Sequence, residues 1–230
     1  MDQLRLAVVP TTAAAGGGFH VEIYVNDVEV TGAGAGLGMD TFDLLIPLNK
    51  LSATSEGRRV AVARCDCGVY GCGATDVVVQ RVGDTVRWDW LVETPMDRSV
   101  EFDARDYDAE VLRVARDHRW ETPERTAGRL VLEELDRSRL EAVGLELAGA
   151  CNDWRNADLF TAWMVDPGRY QVVVDFDWSD LSPAALAEVV CRTLAEDPPQ
   201  AWRARWLGNT PQTRDVPPAM AGPGWSRLAM

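Results

Sequence analysis

The sequence predicts an α+β fold with antiparallel sheets, and its hydrophobic pattern is the basis for this prediction. Up to about residue 104, apolar residues alternate with polar ones, which is typical of half-buried strands. Beyond that point, stretches with helical spacing are mixed with further alternating stretches. A block of strands followed by a block of mixed helices and strands favours α+β architecture with antiparallel sheets.

The first block holds a series of strand candidates. His20–Val30 alternates apolar and polar residues, and Asn26-Asp27 offers a turn inside it. The further strand candidates are Arg58–Arg64, Thr75–Val82, Thr85–Val92 and Ser99–Asp103. Gly83-Asp84 lies between two of these strands and predicts a hairpin. The glycine-rich segment Thr31–Asp40 is expected to be a loop.

The second block changes period. A helical face with an apolar stripe begins at Tyr107 and reaches His118. Thr122-Pro123-Glu124 predicts the start of a second helix, with the threonine hydroxyl as its cap and an end near Arg137. Strands are expected around Val143–Ala148, Leu159–Val165 and Tyr170–Trp178, followed by a helix that opens at Ser182-Pro183.

These elements divide the chain into three segments. Residues 1–104 form a strand-rich half that contains a cysteine hairpin. Residues 105–207 form a half in the order helix, helix, three strands, helix. Residues 208–230 form an irregular tail, because four prolines occur there with little periodicity. A single domain that includes all three segments is the alternative.

The charge balance restricts the classes of partner. The chain has 36 acidic and 23 basic residues and a net charge of −13. A surface of that sign repels phosphate, so nucleic acid and anionic membranes are disfavoured as partners, and a basic protein is favoured. The alternative is that the charge serves solubility alone. No apolar window approaches the length of a membrane span, and five cysteines without an export signal predict reduced thiols in the cytoplasm.

The most distinctive motif is Cys65-Asp66-Cys67-Gly68-Val69-Tyr70-Gly71-Cys72-Gly73, or C-x-C-G-x-x-G-C. It lies between one predicted strand and a strand-turn-strand that ends at Val86-Arg87-Trp88. In this respect the chain resembles a family of uncharacterised bacterial proteins. The resemblance covers roughly residues 20–115, including the helix entry from Phe102-Asp103 to Tyr107. It implies a common folding unit and carries no established activity.

The three thiols of this motif allow three interpretations. Cysteines two apart on a strand point to one side, and the glycines let the chain return so that Cys72 approaches Cys65 and Cys67. The thiols then either pack a tight hairpin, or bind zinc, or act as redox groups. Zinc requires a fourth ligand, for which His20, His118, Cys151 and Cys191 are the candidates. Asp66 disfavours redox chemistry, because a neighbouring negative charge raises a thiol pKa.

Several enzyme classes lack a required residue. His20-Val21-Glu22 fits the H-x-E of zinc deaminases, but the chain has no P-C-x-x-C. The run of Gly32, Gly34, Gly36 and Gly38 does not fit G-x-G-x-x-G, and no G-K-[ST] is present. G-x-S-x-G and S-x-x-K are absent too.

Acidic and aromatic residues suggest a binding surface. Asp175 and Asp177 alternate with the apolar residues of Tyr170–Trp178, so they share an outer strand face. There they would bind Mg²⁺ together with Asp180 or contact a basic partner, and a solvated sheet face without a ligand explains the same pattern. Nine tryptophans are many for this length, and any that are exposed beside acids would anchor a protein partner.

Two functions therefore remain for the chain. The first is a non-enzymatic acidic protein that captures a basic protein partner, as immunity proteins do. The second is a zinc-dependent or thiol-dependent enzyme centred on Cys65, Cys67 and Cys72. The lack of any complete catalytic set favours the first.

Overall fold

The computed structural model describes residues 1–12, 17–67, 72–153, 155–178 and 180–228. Within these ranges the protein is α+β with sheets that are antiparallel in nearly every strand pair, which confirms the predicted fold class. The chain forms two compact units, Met1–Trp120 and Glu121–Met230. Each has its own sheets and core.

The first unit contains two antiparallel sheets. Its strands are β1 (Leu4–Pro10), β2 (Phe19–Val25), β3 (Val28–Glu29), β4 (Gly36–Gly38), β5 (Arg58–Cys65), β6 (Ala74–Val82), β7 (Thr85–Val92) and β8 (Val100–Asp103). The order is β1-β2-β3 in one sheet and β4-β5-β6-β7-β8 in the other. The predicted turns at Asn26-Asp27 and Gly83-Asp84 join β2 to β3 and β6 to β7. β1 was not predicted, and it pairs with β2 along its whole length.

Among its described residues, the first unit also has three helices: α1 (Val30–Ala33), α2 (Thr41–Leu44) and α3 (Ala104–Arg116). The carboxylate of Asp103 caps α3 by accepting backbone N–H bonds at 3.0 and 3.1 Å. The buried face of α3, which includes Tyr107, packs on β1, β7 and β8. For this reason α3 belongs to the first unit, whereas the boundary expected at residue 104 assigned it to the second half. His118 lies beyond the end of α3 and not on its face.

The core of the first unit is centred on three aromatic rings. The ring of Trp88 lies edge-on to those of Phe102 and Tyr107, with centroids 5.5 and 6.1 Å away. The indole N–H of Trp88 donates to the hydroxyl of Tyr107, which donates to the carbonyl of Leu51. The polar atoms of both buried side chains are therefore satisfied.

The second unit packs helices on one five-stranded sheet. Its elements are α4 (Pro123–Glu134), α5 (Ser138–Ala142), β9 (Glu146–Asp153), β10 (Asn156–Asp166), β11 (Tyr170–Asp177), α6 (Pro183–Glu196), β12 (Ala204–Gly208) and β13 (Trp225–Arg227). The order is β13-β12-β11-β10-β9, and only the pairing of β12 with β13 is parallel. The strand expected from Val143 begins at Glu146, because the turn that ends α5 occupies Val143 and Gly144.

The segment after residue 208, which was expected to be irregular, contains one short strand. β13 lies in it and extends the sheet beside β12. The ring of Trp225 stacks on that of Trp202 at a centroid distance of 6.3 Å, and its indole N–H donates to the carbonyl of Pro199 at 2.8 Å. Aromatic burial and strand pairing thus hold this part of the chain on the second unit.

Candidate metal centre

The cysteine motif connects two neighbouring antiparallel strands. β5 ends at Cys65 and β6 begins at Ala74, and the backbone N–H of Cys65 donates to the carbonyl of Gly73 at 3.0 Å. The prediction that Cys65–Gly73 joins two antiparallel strands is therefore confirmed. Residues 68–71, the middle of the motif, lie outside the described residues.

The hairpin brings its three thiols together. The sulphur atoms of Cys65, Cys67 and Cys72 all lie within 4.8 Å of one another. Cys65 is half-buried, while Cys67 and Cys72 are exposed, and every cysteine of the chain is a thiol. The interpretation in which these thiols fill the interior of a tight hairpin does not fit Cys67 and Cys72, because their side chains face solvent.

The proximity of the thiols changes the acidity of Cys72. Hydrogen bonds with Cys65 and Cys67, together with the negative charge of their thiolates, raise the pKa of Cys72 to about 11. Reactive redox cysteines have a lowered pKa, so this environment disfavours the redox interpretation. A divalent cation among the three sulphurs would reverse the effect, because its positive charge stabilises thiolates.

The glycine-rich segment forms the sheet edge beside the first thiol. Gly36 of β4 pairs with Cys65 and has a φ of +113°. The carboxylate of Asp66 occupies the position where a side chain at residue 36 would lie. Gly34 is in similar contact with the hydroxyl of Thr75. The glycines therefore permit close approach of other groups to the backbone. The segment holds part of α1 and all of β4, and so it is not a loop throughout, as was expected.

None of the four expected donors joins the three thiols. Within the described ranges, the group of metal-ligating atoms at this hairpin consists of the three cysteine sulphurs. His20 lies on β2, where its Nδ1 is 2.8 Å from the hydroxyl of Thr11, and burial lowers its pKa. His118 follows α3, while Cys151 lies on β9 and Cys191 on α6 in the second unit.

The predicted acidic pair lies on one strand face but does not carry uncompensated charge. The side chain of Asp175 is only 6% exposed, and its carboxylate accepts hydrogen bonds at 2.6 and 2.9 Å from Arg205. Arg205 also donates to Asp153 at 2.6 Å. Asp177 is exposed and pairs with Arg203 at 3.1 Å. Arg205 of β12 and Arg203, which precedes β12, thus pair with the two carboxylates that were expected to bind Mg²⁺ or a basic partner.

The ion pair between Arg205 and Asp153 also changes the pKa of Asp153. Burial alone would raise the pKa of Asp153, but hydrogen bonds from the Arg205 side chain and from the backbone N–H of Arg155 outweigh it, so the pKa of Asp153 is lowered. The charged network on β9, β11 and β12 is therefore part of the fold of the second unit.

Comparison with known proteins adds no family to these observations. No protein-family model matches the sequence, and no curated protein and no solved structure is significantly similar to it. The resemblance based on the C-x-C-G-x-x-G-C motif stays an expectation. Of the helices that the structure describes, none combines the length and apolarity needed to cross a bilayer.

Proposed function

We propose that this protein binds a zinc ion through the thiolates of Cys65, Cys67 and Cys72. The observation that carries the proposal is the separation of their sulphur atoms, which lies within 4.8 Å for every pair. Zinc–sulphur bonds of about 2.3 Å at tetrahedral angles place two sulphur ligands about 3.8 Å apart. Movements of about 1 Å, available to exposed side chains, would therefore bring the thiols to a zinc ion.

The type of ligand favours zinc over the hard cations. Thiolates are soft ligands that select Zn²⁺, Cu⁺ or iron–sulphur clusters, whereas Mg²⁺ and Ca²⁺ take oxygen ligands. The cysteines lie at the connection between β5 and β6, so a bound ion would tie the two ends of that connection together. Thiolate ligation requires reduced cysteines, and a reducing compartment such as the cytoplasm is part of this proposal.

The charge of the site supports binding more than catalysis. A catalytic zinc ion activates a bound water through its own positive charge. Three thiolates carry three negative charges against two positive ones, and the resulting centre is a weak electrophile. For this reason we place metal binding ahead of the alternative function, a zinc-dependent or thiol-dependent enzyme.

Metal analysis of the purified protein tests this proposal. The protein is prepared in reducing buffer without chelators, loaded with Zn²⁺ and assayed for metal by mass spectrometry and by competition with a chromophoric chelator. We expect one zinc ion per chain, loss of tight binding in Cys72→Ser, and full retention in Cys191→Ser, whose thiol lies on α6. Equal zinc content in wild type and Cys72→Ser would overturn the proposal.

A basic protein partner is the second candidate function, and Trp163 is the observation that favours it. Trp163 lies on β10 and is 38% exposed, and the chain that carries it has a net charge of −13. Tryptophan is a frequent anchor of protein interfaces, and negative charge accelerates association with a basic partner.

Affinity capture from the native cytoplasm would identify such a partner, and kinetics would test the role of Trp163. We expect association to slow as ionic strength rises and the complex to weaken at least about tenfold in Trp163→Ala. Leu112→Ala, a change at another exposed apolar side chain, serves as the control. This function would be excluded if the association rate did not change with ionic strength and the affinity did not change in Trp163→Ala.

A further inference from the structure

Glu93 directly follows β7 and is fixed beside the cysteine hairpin by its backbone. The register pairs Val92 with Asp76 of β6, so that Glu93 continues toward the start of β6, where the hairpin returns. Its carbonyl accepts a hydrogen bond at 3.1 Å from the hydroxyl of Thr75. The same hydroxyl accepts the backbone N–H of Ala35 at 2.9 Å. Two neighbouring segments therefore determine the position of Glu93.

The carboxylate of Glu93 lies on the same side of the hairpin as Cys65. A methyl group placed on the Cα of Gly73 would lie 3.2 and 3.4 Å from the two carboxylate oxygens of Glu93. It would lie 3.5 Å from the Cβ of Cys65. Because Gly73 has no side chain, the space between the carboxylate and the cysteines is open. The sulphur of Cys65 in turn lies within 4.8 Å of those of Cys67 and Cys72.

The backbone conformation of Glu93 adds a second, independent observation. Its φ is +40°, in the left-handed region that residues other than glycine seldom adopt. Such conformations persist where the surrounding structure enforces them, and they concentrate at functional sites. The turn after β7 does not itself require a glutamate, since glycine or asparagine adopts a positive φ at a lower conformational cost.

We propose that Glu93 supplies the fourth ligand of the zinc site, completing a centre of three cysteine sulphurs and one carboxylate oxygen. This inference rests on the zinc binding proposed above. Zinc takes four ligands, and glutamate oxygen is among those that proteins provide. No oxygen of Glu93 lies within 4.8 Å of all three sulphurs in the structure, so ligation requires rotation about the three side-chain torsions of this exposed glutamate. The carboxylate of Asp66 lies against Gly36, so Glu93 is the better placed of the two acids that neighbour the hairpin.

A zinc ion held by four protein ligands has no coordination position for an external ligand. A zinc ion held by three thiolates and a water molecule does have one, so the two kinds of site can be distinguished by experiment. Co²⁺ replaces Zn²⁺ as a spectroscopic probe, since each bound thiolate contributes to the sulphur-to-cobalt charge-transfer absorption. Wild type, Glu93→Gln, Glu93→Ala and the charge-matched control Asp66→Asn are titrated with Co²⁺ and Zn²⁺. Each cobalt complex is then treated with a small monothiol.

We expect Glu93→Gln and Glu93→Ala to bind Zn²⁺ at least about tenfold more weakly than wild type, and Asp66→Asn to bind it about as tightly as wild type. The monothiol should increase the charge-transfer absorption of Glu93→Ala by about a third, because a fourth thiolate joins three, and leave that of wild type unchanged. Thermal unfolding of the metal-free proteins verifies that each variant is folded.

Four outcomes would overturn the inference. One outcome is that wild type and Glu93→Gln bind zinc equally well, and another is that the wild-type cobalt complex takes up the monothiol. In either case Glu93 is not the fourth ligand, and the proposed zinc binding stands. An equal loss of affinity in Asp66→Asn would assign the effect to general charge. If wild type binds no metal, the proposed function fails together with the inference.

Discussion

Gly36 pairs directly with Cys65, so the edge strand β4 and the first thiol of the hairpin are neighbours in one sheet. This pairing connects two features that are separate in the sequence, a run of alternating glycines and a cysteine motif. The glycines allow the side chains of Asp66 and Thr75 to contact the backbone of the edge segment. The same edge therefore supports the base of the proposed metal site.

Replacement of Gly36 by alanine should destabilise the protein by about 2 kcal/mol. Its φ of +113° is unfavourable for any residue with a side chain, and the new methyl group would displace the Asp66 carboxylate. Urea unfolding would measure the change. Gly83→Ala is the matched control, because Gly83 has a φ of +60° with no atom within 4 Å of the added methyl, and it should cost only about 1 kcal/mol. Equal losses in the two variants would contradict this account.

Ser182→Ala should destabilise the protein by about 1 kcal/mol, and Thr122→Ala by less than about 0.5 kcal/mol. The hydroxyl of Ser182 accepts the backbone N–H of Ala185 at 3.2 Å at the start of α6. Thr122 stands at the start of α4, but its buried hydroxyl has no hydrogen-bond partner. The expected cap at Thr122 is therefore not formed, although the helix begins where predicted. A larger loss for Thr122→Ala than for Ser182→Ala would be inconsistent with these contacts.

Asp175→Ala should lower the free energy of unfolding by about 2 kcal/mol, because it leaves Arg205 with fewer acceptors in a largely buried network. Asp177→Ala should change it by less than about 0.5 kcal/mol, since this carboxylate is 72% exposed and its ion pair with Arg203 is solvated. Urea unfolding of the two variants makes the comparison. Similar effects from both substitutions would argue against the structural role of Asp175.

The stability of the protein should decrease below pH 6.5 in part through His20. Burial, with the positive charge of Arg64, outweighs the carboxylates of Glu22, Glu29 and Asp40 and lowers the pKa of His20 below its usual 6.5. As the pH falls from that value toward the lowered pKa, the unfolded chain binds a proton more readily than the folded one, so the free energy of unfolding decreases.

Unfolding free energies at pH 7.5 and 5.5 would test this contribution. His20→Gln should show a smaller decrease between the two pH values than wild type. A decrease of the same size in His20→Gln would exclude this role of His20.

The sequence predicted most elements of the fold because their periodicity is long enough to be distinctive. β5, β6 and β7 occur within one residue of their expected bounds. The errors concern short or competing signals. β1 was missed because its apolar run is brief. β13 was missed because it has only three residues in a proline-rich segment, too few to show an alternation of apolar and polar residues. The end of the first unit was placed too early because local periodicity does not show that α3 packs on β1, a strand about a hundred residues earlier.

The candidate site was predictable in part. The C-x-C spacing and the following glycines indicated that Cys72 returns to Cys65 and Cys67, since both rules are local. Glu93 was not identified from the sequence. Its approach to Gly73 depends on the register of β6 and β7 and on a left-handed backbone at Glu93, and no residue type at that point of the sequence predicts this backbone. Alternation placed Asp175 on an outer face but gave no sign of Arg205, which comes from β12 by strand pairing.

The parallel pairing of β13 with β12 has a consequence for synthesis and proteolysis. The residues of β12 have all been translated once Gly208 is added, whereas its neighbour β13 is complete only when Arg227 has been added. At ordinary translation rates that interval is roughly 1–4 s. During it, and after any cleavage between Gly208 and Trp225, the edge of β12 is exposed, and an exposed strand edge pairs readily with other chains.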